Sequence, residues 1–198
     1  ATFKTVIIAA HAFGTVIRPE EVVRRGITAV SAGDVEVARS RGCVIKLLSR
    51  SLQHDAGFSA MALPTFVPDR DPLAAVVDEV NGVRVRAAFS DAQLLVGKGA
   101  GGHPTASAVL SDISAQRYGY RYEYKKIAQG GRPTLRNDRD IVVYVRATPE
   151  LLDAVPWKQV DIDHKEHERC YRIGTVDLLG LRDSAAFQDP KAFVAAVG

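Results

Sequence analysis

The stretch CVIKLLSRSLQHDAGFSAMALPTFV, residues 43–67, decides the fold class. Two runs rich in apolar residues, 43–52 and 59–67, stand on either side of an HDAG turn, which is typical of two neighbouring strands. Pro64 interrupts the second run. Because proline cannot donate a ladder hydrogen bond, it predicts an edge strand or a bulge at this position. A β-sheet is therefore expected at the centre of this part of the chain.

Helical patterns precede these strands. Residues 3–13 carry apolar side chains at helical spacing, and the pattern stops at Gly14. PEEVVRR (19–25) predicts a short helix, and GDVEVARSR (33–41) predicts another whose first turn is capped by Ser31. These helices are amphipathic enough to pack on one side of a sheet.

Two more strands and a helix follow. NGVRVRAAF (81–89) alternates apolar and basic residues, which indicates one buried and one solvated face, and QLLV (93–96) predicts its neighbour. PTASAVLSDISAQ (104–116) predicts a helix that begins at a proline. Residues 1–117 are thus expected to form an α/β (α+β) region, a small mixed sheet covered by helices on one side.

The rest of the chain changes character. Residues 118–138 are rich in tyrosine and basic residues and are interpreted as a linker or an interface strand. In an extended conformation four tyrosines would share one face: Tyr118, Tyr120, Tyr122 and Tyr124. Residues 139–198 predict a small βαββα module, in which 170–181 is a strand and DPKAFVAAV (189–197) is the closing helix.

Composition narrows the function classes. Apolar residues make up 46% and charged residues 25% of 198, the proportions of an ordinary soluble globular protein. The chain contains no run of eighteen apolar residues, so no membrane span is predicted. A net charge of +3 gives no support to nucleic-acid binding, although exposed tyrosines could stack on single strands. Two cysteines, Cys43 and Cys170, favour a reducing compartment such as the cytoplasm.

The glycine-rich stretch VGKGAGGHPTASAVLSDI (96–113) is a candidate binding loop. Gly97, Gly99 and Gly102 satisfy G-x-G-x-x-G between a predicted strand and helix. We reject the dinucleotide fingerprint, because Pro104 stands where a phosphate-binding helix would donate N–H groups. Two interpretations stay open: a structural turn, or a lip at which the backbone approaches a ligand closely.

Lys4 is a candidate acid–base residue. It shares a helix face with Ile8 and His11 in a strongly apolar helix. A partly buried lysine loses stabilisation of its charged form and can exchange protons near neutral pH. The alternative is a lysine at a helix edge whose ammonium reaches solvent.

The segment DIDHKEHERC (161–170) contains residue types that bind metals, including His164, His167 and Cys170. Predicted strands flank this segment on both sides. A polar hairpin turn explains its composition more simply, so no metal site is predicted.

Together these motifs resemble the catalytic region of homoserine dehydrogenase over residues 1–117. The resemblance rests on KTVIIAAHAFG (4–14), GITAVSAGDVEVARSRGCVIKLL (26–48), LPTFVPDRDPLAAV (63–76), NGVRV (81–85) and GKGAGGHPTASAVLSDI (97–113). It implies interconversion of L-homoserine and L-aspartate 4-semialdehyde with NAD or NADP, within threonine and methionine biosynthesis. The amino-acid substrate is thus a small molecule, and neither nucleic acid nor membrane is expected as a partner.

The resemblance also assigns roles to residues. In the family a D-x-x-x-K signature ends in the catalytic lysine, which falls on Lys4, and its aspartate would precede Ala1. Lys4 would be the acid–base group itself or would work with a second lysine of the family that has no counterpart here. The lip Gly99, Ala100, Gly101 and Gly102 would lie against the nicotinamide end of the cofactor, where a Cβ would obstruct the approach. The family's Rossmann domain has no counterpart here, so the fragment is expected to be inactive alone.

Two further expectations concern assembly and the tail. A homodimer is expected, both from the family and from apolar surface on strands 43–52 and 59–67. The tail at 139–198 resembles an ACT module, which binds an amino acid such as threonine, with one strand missing. RATPELLD (146–153) departs from the module's usual Asp-Arg-Pro-Gly turn. The alternative function is a non-catalytic dimerisation or regulatory fragment that binds an amino-acid effector.

Overall fold

A computed structural model describes residues 1–55, 57–121, 125–166 and 169–198. The chain divides into two compact units, the first formed by Ala1–Val67 with Tyr124–Gly198 and the second by Pro68–Glu123. In chain order the helices and strands are α1 (Thr2–Phe13), a 3-10 helix (Pro19–Glu21), β1 (Val23–Arg24), α2 (Ala32–Ser40), β2 (Cys43–His54), β3 (Gly57–Pro68), β4 (Val80–Ala87), β5 (Ser90–Lys98), α3 (Gly102–Arg117), α4 (Lys125–Ala128), β6 (Asp140–Arg146), α5 (Pro149–Asp153), β7 (Trp157–Glu166), β8 (Arg169–Asp177), α6 (Leu178–Asp183), α7 (Ala185–Gln188) and β9 (Phe193–Val197).

The first unit is built on one mixed sheet. Within the described residues seven strands pair in the order β1–β3–β9–β6–β8–β7, and β2 also pairs with β3. β1 and β9 run parallel to β3, whereas β6, β7 and β8 are joined by antiparallel ladders. The expected mixed α/β architecture is therefore confirmed.

β3 is a central strand, which corrects the prediction that Pro64 marks an edge. Every residue from Gly57 to Val67 is buried. β1 pairs with Met61 and Ala62, and β9 pairs with Thr65 and Phe66. Pro64 falls between these two short ladders, so neither of them needs the hydrogen-bond donor that proline lacks.

The end of the chain is a strand, so the helix predicted for 189–197 is wrong. β9 is almost fully buried between β3 and β6. A strand buried on both faces has a continuous apolar run, which periodicity does not distinguish from a short buried helix. The elements described within 139–198 accordingly have the order βαββααβ.

Two shorter predictions also change. Residues 178–181, expected as the end of a strand, begin α6, because the Asp177 side chain accepts a hydrogen bond from the Gly180 amide and caps a helix. The helix expected at 19–25 is only a 3-10 turn, and Val23 and Arg24 pair with β3 instead.

The predicted segments 1–117, 118–138 and 139–198 do not coincide with the compact units. Because β9 pairs with β3, residues 1–67 and the carboxyl-terminal strands lie in one unit. The three segments were defined by resemblance to family modules and not by contacts within the fold, so this division stays a prediction.

The second unit contains the hairpin β4–β5 and the helix α3. None of its described residues is buried, so the buried face predicted for 81–89 is not formed within the chain. The largest buried side chains, among them Phe58, Phe66 and Tyr144, all lie in the first unit. Among the described residues, no helix is both long enough and apolar enough to cross a membrane.

Candidate functional site

The glycine-rich loop connects a hairpin strand to a helix in the second unit. β5 pairs antiparallel with β4, with Lys98 opposite Val80 and Gly97 opposite Asn81. The Gly99 amide donates to the Glu79 carbonyl at 3.4 Å, and the chain then enters α3. A dinucleotide fingerprint requires a parallel βαβ unit, so this setting agrees with its rejection.

The glycines of the loop are needed for different reasons. Gly101 has φ 103° and ψ 161°, a conformation open to glycine and costly for other residues. A Cβ on Gly101 would meet nothing closer than the Pro104 Cδ at 3.7 Å. A Cβ on Gly99 would instead overlap the side-chain amide of Asn81, and one on Gly102 would lie in open space. Within the chain, a Cβ at Gly99 would thus overlap a neighbouring side chain, whereas backbone conformation is the constraint at Gly101. The obstruction of a bound ligand by a Cβ on the lip stays a prediction.

The loop borders an open concavity of about 640 Å³. Its lining residues are Glu79, Lys98, Ala100, Gly101, Gly102, His103, Pro104 and Ser107. At its edge the Lys98 ammonium lies 2.8 Å from the Glu79 carboxylate. The hydrogen bond from Lys98 lowers the pKa of Glu79, so this carboxylate is ionised at neutral pH.

The amino terminus of α3 adds donors to this concavity. Thr105 donates to the Gly101 carbonyl through its amide, at 3.2 Å, and through its hydroxyl, at 2.8 Å. Pro104 has no N–H, so Gly102 and His103 carry the first-turn amides that have no intrahelical acceptor. Such amides, with the helix dipole, favour a negatively polarised oxygen at this position.

Lys4 lies in the first unit, in the first turn of α1. It is exposed, as are Ile8 and His11 on the same face, so the expected partial burial of Lys4 is not seen within this chain. The helix begins at Thr2 with Ala1 as its N-cap and no side-chain cap, and the Ala1 carbonyl accepts from the Ser49 hydroxyl at 3.3 Å. The structure thus places the predicted lysine on an accessible surface.

The basic segment after residue 124 caps the other end of α1. The Lys126 ammonium donates to the Ala12 carbonyl at 2.7 Å, and an Arg132 nitrogen lies 3.5 Å from the Gly14 carbonyl. Both cations thus lie at the negative end of the helix dipole. Of the alternating tyrosines, Tyr118 follows α3 as its C-cap and Tyr120 is exposed, whereas Tyr122 and Tyr124 lie outside the described residues.

The segment 161–170, interpreted as a polar hairpin turn, belongs mostly to the strands β7 and β8, and its residues 167 and 168 lie outside the described residues. β7 pairs with β8 through His164 opposite Tyr171 and Lys165 opposite Cys170. Because successive residues face opposite sides of a strand, His164 and Cys170 do not converge. His167 lies outside the described residues. Among those that are described, no group of three metal-ligand side chains occurs.

A polar cluster centred on Asp34 was not predicted from the sequence. This fully buried carboxylate accepts hydrogen bonds from the Tyr144 hydroxyl at 2.7 Å and from the Arg146 guanidinium at 2.8 Å. Asp34 also completes a capping box with Ser31 at the start of α2. The capping box was visible in the sequence, but its two long-range partners carry no local signal.

Comparison with known proteins places these features in a family. The family model for homoserine dehydrogenase matches residues 1–114, more than half of the chain. The chain belongs to the homoserine dehydrogenase family. The matched region of this chain includes Lys4 and the whole glycine-rich loop, whereas residues 115–198 lie outside the match.

Individual members of the family show the same likeness. The homoserine dehydrogenase of Lactococcus lactis is 34% identical over 145 residues, which are 72% of this chain and 34% of that protein. The homoserine dehydrogenase of Mycobacterium bovis is 42% identical over 118 residues, 57% of this chain and 27% of that protein.

The fold likeness extends beyond the family match. The crystal structure of a homoserine dehydrogenase from Thiobacillus denitrificans superposes with a TM-score of 0.74 and 22% identity, covering 100% of this chain and 52% of that one. The chain therefore spans about half of the solved homoserine dehydrogenase and about a third of the relatives it matches in sequence.

Proposed function

We propose that this chain supplies the catalytic region of an NAD(P)-dependent homoserine dehydrogenase, which interconverts L-homoserine and L-aspartate 4-semialdehyde in threonine and methionine biosynthesis. The observation that carries the proposal is the family match over residues 1–114. Because the relatives are longer than the matched region, the activity is assigned to the complete protein that contains these residues. The 198-residue chain alone is expected to be inactive.

Lys4 is the proposed acid–base residue. Its Nζ would take the hydroxyl proton of homoserine during oxidation and return it during reduction. A lysine can accept a proton only in its neutral form, which burial favours. Since Lys4 is exposed in this chain, its role requires that substrate and the remainder of the complete active site cover it.

The loop Gly99, Ala100, Gly101 and Gly102 is the proposed binding lip. Its open concavity and the first-turn amides of α3 suit a ligand that brings a negatively polarised oxygen close to the backbone. The positive φ of Gly101 gives the loop a backbone conformation that residues other than glycine rarely adopt.

The described residues do not fit a whole dinucleotide. The glycine-rich loop follows an antiparallel hairpin strand, and Pro104 removes a donor from the helix start. The proposal therefore assigns the pyrophosphate of NAD or NADP to the portion of the relatives that this chain does not match. The choice between the two cofactors belongs to that portion as well.

The proposal is tested by homoserine oxidation in the complete protein. Lys4→Ala should lower kcat by about 10² to 10⁴, the usual loss when an acid–base group is removed. Lys191→Ala, which removes another exposed lysine of the first unit, is the matched control and should keep full activity. A Lys4→Ala enzyme within about threefold of the parent kcat would overturn the assignment of Lys4.

The same proposal includes a homodimer in the cytoplasm. Apolar side chains on β3 are buried in its own sheet, so they do not supply the interface that sequence analysis expected. The exposed apolar residues of the second unit supply it instead, notably Val109, Leu110 and Ile113 on α3. The two free cysteines are consistent with a reducing compartment.

A regulatory role is the second candidate. The order βαββααβ of residues 139–198 supports an ACT-like module, and an amino-acid effector such as threonine would be its ligand. A threonine-dependent rise in the melting temperature of the complete protein would support this role. No rise at millimolar threonine would leave the module without an effector.

A further inference from the structure

The short strand β9 joins two groups of strands that are distant in sequence. It pairs in parallel with β3 through Thr65 and Phe66, and antiparallel with β6 from Val143 to Arg146. The Gly198 amide extends the contact by donating to the Phe66 carbonyl at 3.1 Å. Among the described strands, the sheet passes from β3 to β6 only through β9.

Arg25 holds the segment that leads into β9. Its backbone amide donates to the Ala62 carbonyl of β3 at 3.0 Å. Its guanidinium donates to three carbonyls, those of Phe187 at 2.7 Å, Asp189, and Ala192 at 2.9 Å. The guanidinium carbon also lies 5.8 Å from the centre of the Phe187 ring. One residue therefore ties β3 to the backbone immediately before β9.

A second connection runs through α2. The buried Asp34 carboxylate accepts from Tyr144 and Arg146, both on β6, and Arg146 also donates to the Ala29 carbonyl at 2.7 Å. A buried carboxylate that loses such partners is left with its full desolvation cost. Separating β6 from α2 is therefore unfavourable even before the sheet is broken.

We propose that β9, held by Arg25, is a structural link because of which residues 1–67 and 139–198 unfold as one cooperative unit. The carboxyl-terminal strands are then an integral part of the sheet that contains β3, and they do not open as a detachable module. Whatever binds and stabilises one part stabilises the other by the same free energy. This inference is independent of the proposed catalytic activity.

Native-state hydrogen exchange of the full chain tests whether the two parts unfold together. Exchange is followed by mass spectrometry in increasing denaturant, and the slowest amides of β3, β6 and β9 are compared. We expect all three strands to reach one opening free energy with one denaturant dependence. If β6 and β9 open at lower denaturant while Leu63–Val67 keeps its protection, the two parts do not unfold as one unit and the proposal is wrong.

A variant pair tests the part played by Arg25. Arg25→Met should lower protection by about tenfold or more in β3 and β9 together, because hydrogen bonds to a charged group are the strong ones. The control is Arg182→Met, which removes an exposed arginine whose guanidinium bonds the neighbouring Asp183, and should change protection little. Loss confined to residues 187–197 would overturn the proposal. If Arg25→Met does not fold, the denaturant series on the parent chain decides alone.

Discussion

Asp34 has hydrogen-bond donors on both carboxylate oxygens. Oδ2 accepts from the Ser31 amide at 2.8 Å and the Ser31 hydroxyl at 2.7 Å, while Oδ1 accepts from Tyr144 and Arg146. Burial, together with the neighbouring Asp34 carboxylate, raises the pKa of Tyr144 far above its ordinary value. The Tyr144 hydroxyl therefore stays protonated and donates over the whole usual pH range.

Tyr144→Phe tests the strength of this bond. Removing the hydroxyl leaves the buried Asp34 with one donor fewer, so the free energy of unfolding should fall by about 1–3 kcal/mol. Denaturant unfolding measures this change. The exposed Tyr118 provides the control, since Tyr118→Phe removes a hydroxyl from a side chain that is 84% exposed. Equal stability of both variants and the parent would show that the Tyr144–Asp34 bond contributes nothing.

Gly101→Ala tests the conformation of the binding lip. At φ 103° an added Cβ imposes strain of about 1–3 kcal/mol, although no atom blocks the space. The loop should shift to relieve this strain, and kcat/KM for homoserine oxidation by the complete protein should fall. Gly97→Ala adds a Cβ in open space without a positive φ and should be tolerated. If Gly101→Ala keeps the parent kcat/KM, the lip assignment is wrong.

At the scale of the element, the hairpin β7–β8 is held by an ion-pair group around Arg172. This guanidinium lies 3.1 Å from Asp163 and 2.7 Å from Asp153, and Lys165 lies 3.3 Å from Asp163. The neighbouring Arg172 guanidinium is the main cause that lowers the pKa of Asp163 below its usual value of 3.8. The charged form of Asp163 is thus favoured in the folded hairpin.

The pH dependence of this group follows from the direction of the shift. A carboxylate whose pKa is lower in the folded state contributes stability above its unfolded pKa, and the contribution is lost as pH falls through the folded pKa. Asp163→Asn should therefore melt below the parent at pH 7, and the two melting temperatures should converge towards pH 2. A difference that stays constant between pH 7 and pH 2 would contradict this account.

At the scale of the whole molecule, the second unit has no core of its own among its described residues. A two-stranded hairpin and a single helix of 16 residues are each marginal in water. Val109, Leu110 and Ile113 share one face of α3 and are 52%, 65% and 59% exposed. We expect this apolar face to be buried against a second copy of the chain, as the proposed homodimer requires.

Analytical ultracentrifugation at micromolar concentration tests this expectation by measuring the oligomeric state. The chain should sediment at twice its mass of 21.4 kDa. Leu110→Asp combined with Ile113→Asp should yield monomers, because a charge in an apolar interface is costly to desolvate. Ile27→Asp, at an apolar side chain of the first unit that is 49% exposed, is the control and should stay dimeric. A monomeric parent would overturn the assignment.

The elements with a strong local pattern could be predicted from the sequence alone. α1, α2, the strands β2 to β5 and α3 were all predicted near their observed positions, because helical or alternating periodicity is a property of a short window. The glycine-rich loop and the block around Lys4 were specific enough to indicate the family. Pro104 was the local signal against the dinucleotide fingerprint, since a missing donor is visible in one residue.

Only the tertiary structure decided how the elements pair. The apolar run of β9 has no periodicity that separates it from a helix, and burial between β3 and β6 makes it a strand. Pro64 lies in a central strand, at a position that the ladders to β1 and β9 both leave unpaired. Asp34 acquires partners more than 100 residues away, at Tyr144 and Arg146. Such contacts depend on which surfaces meet after folding, and no local stretch of sequence encodes them.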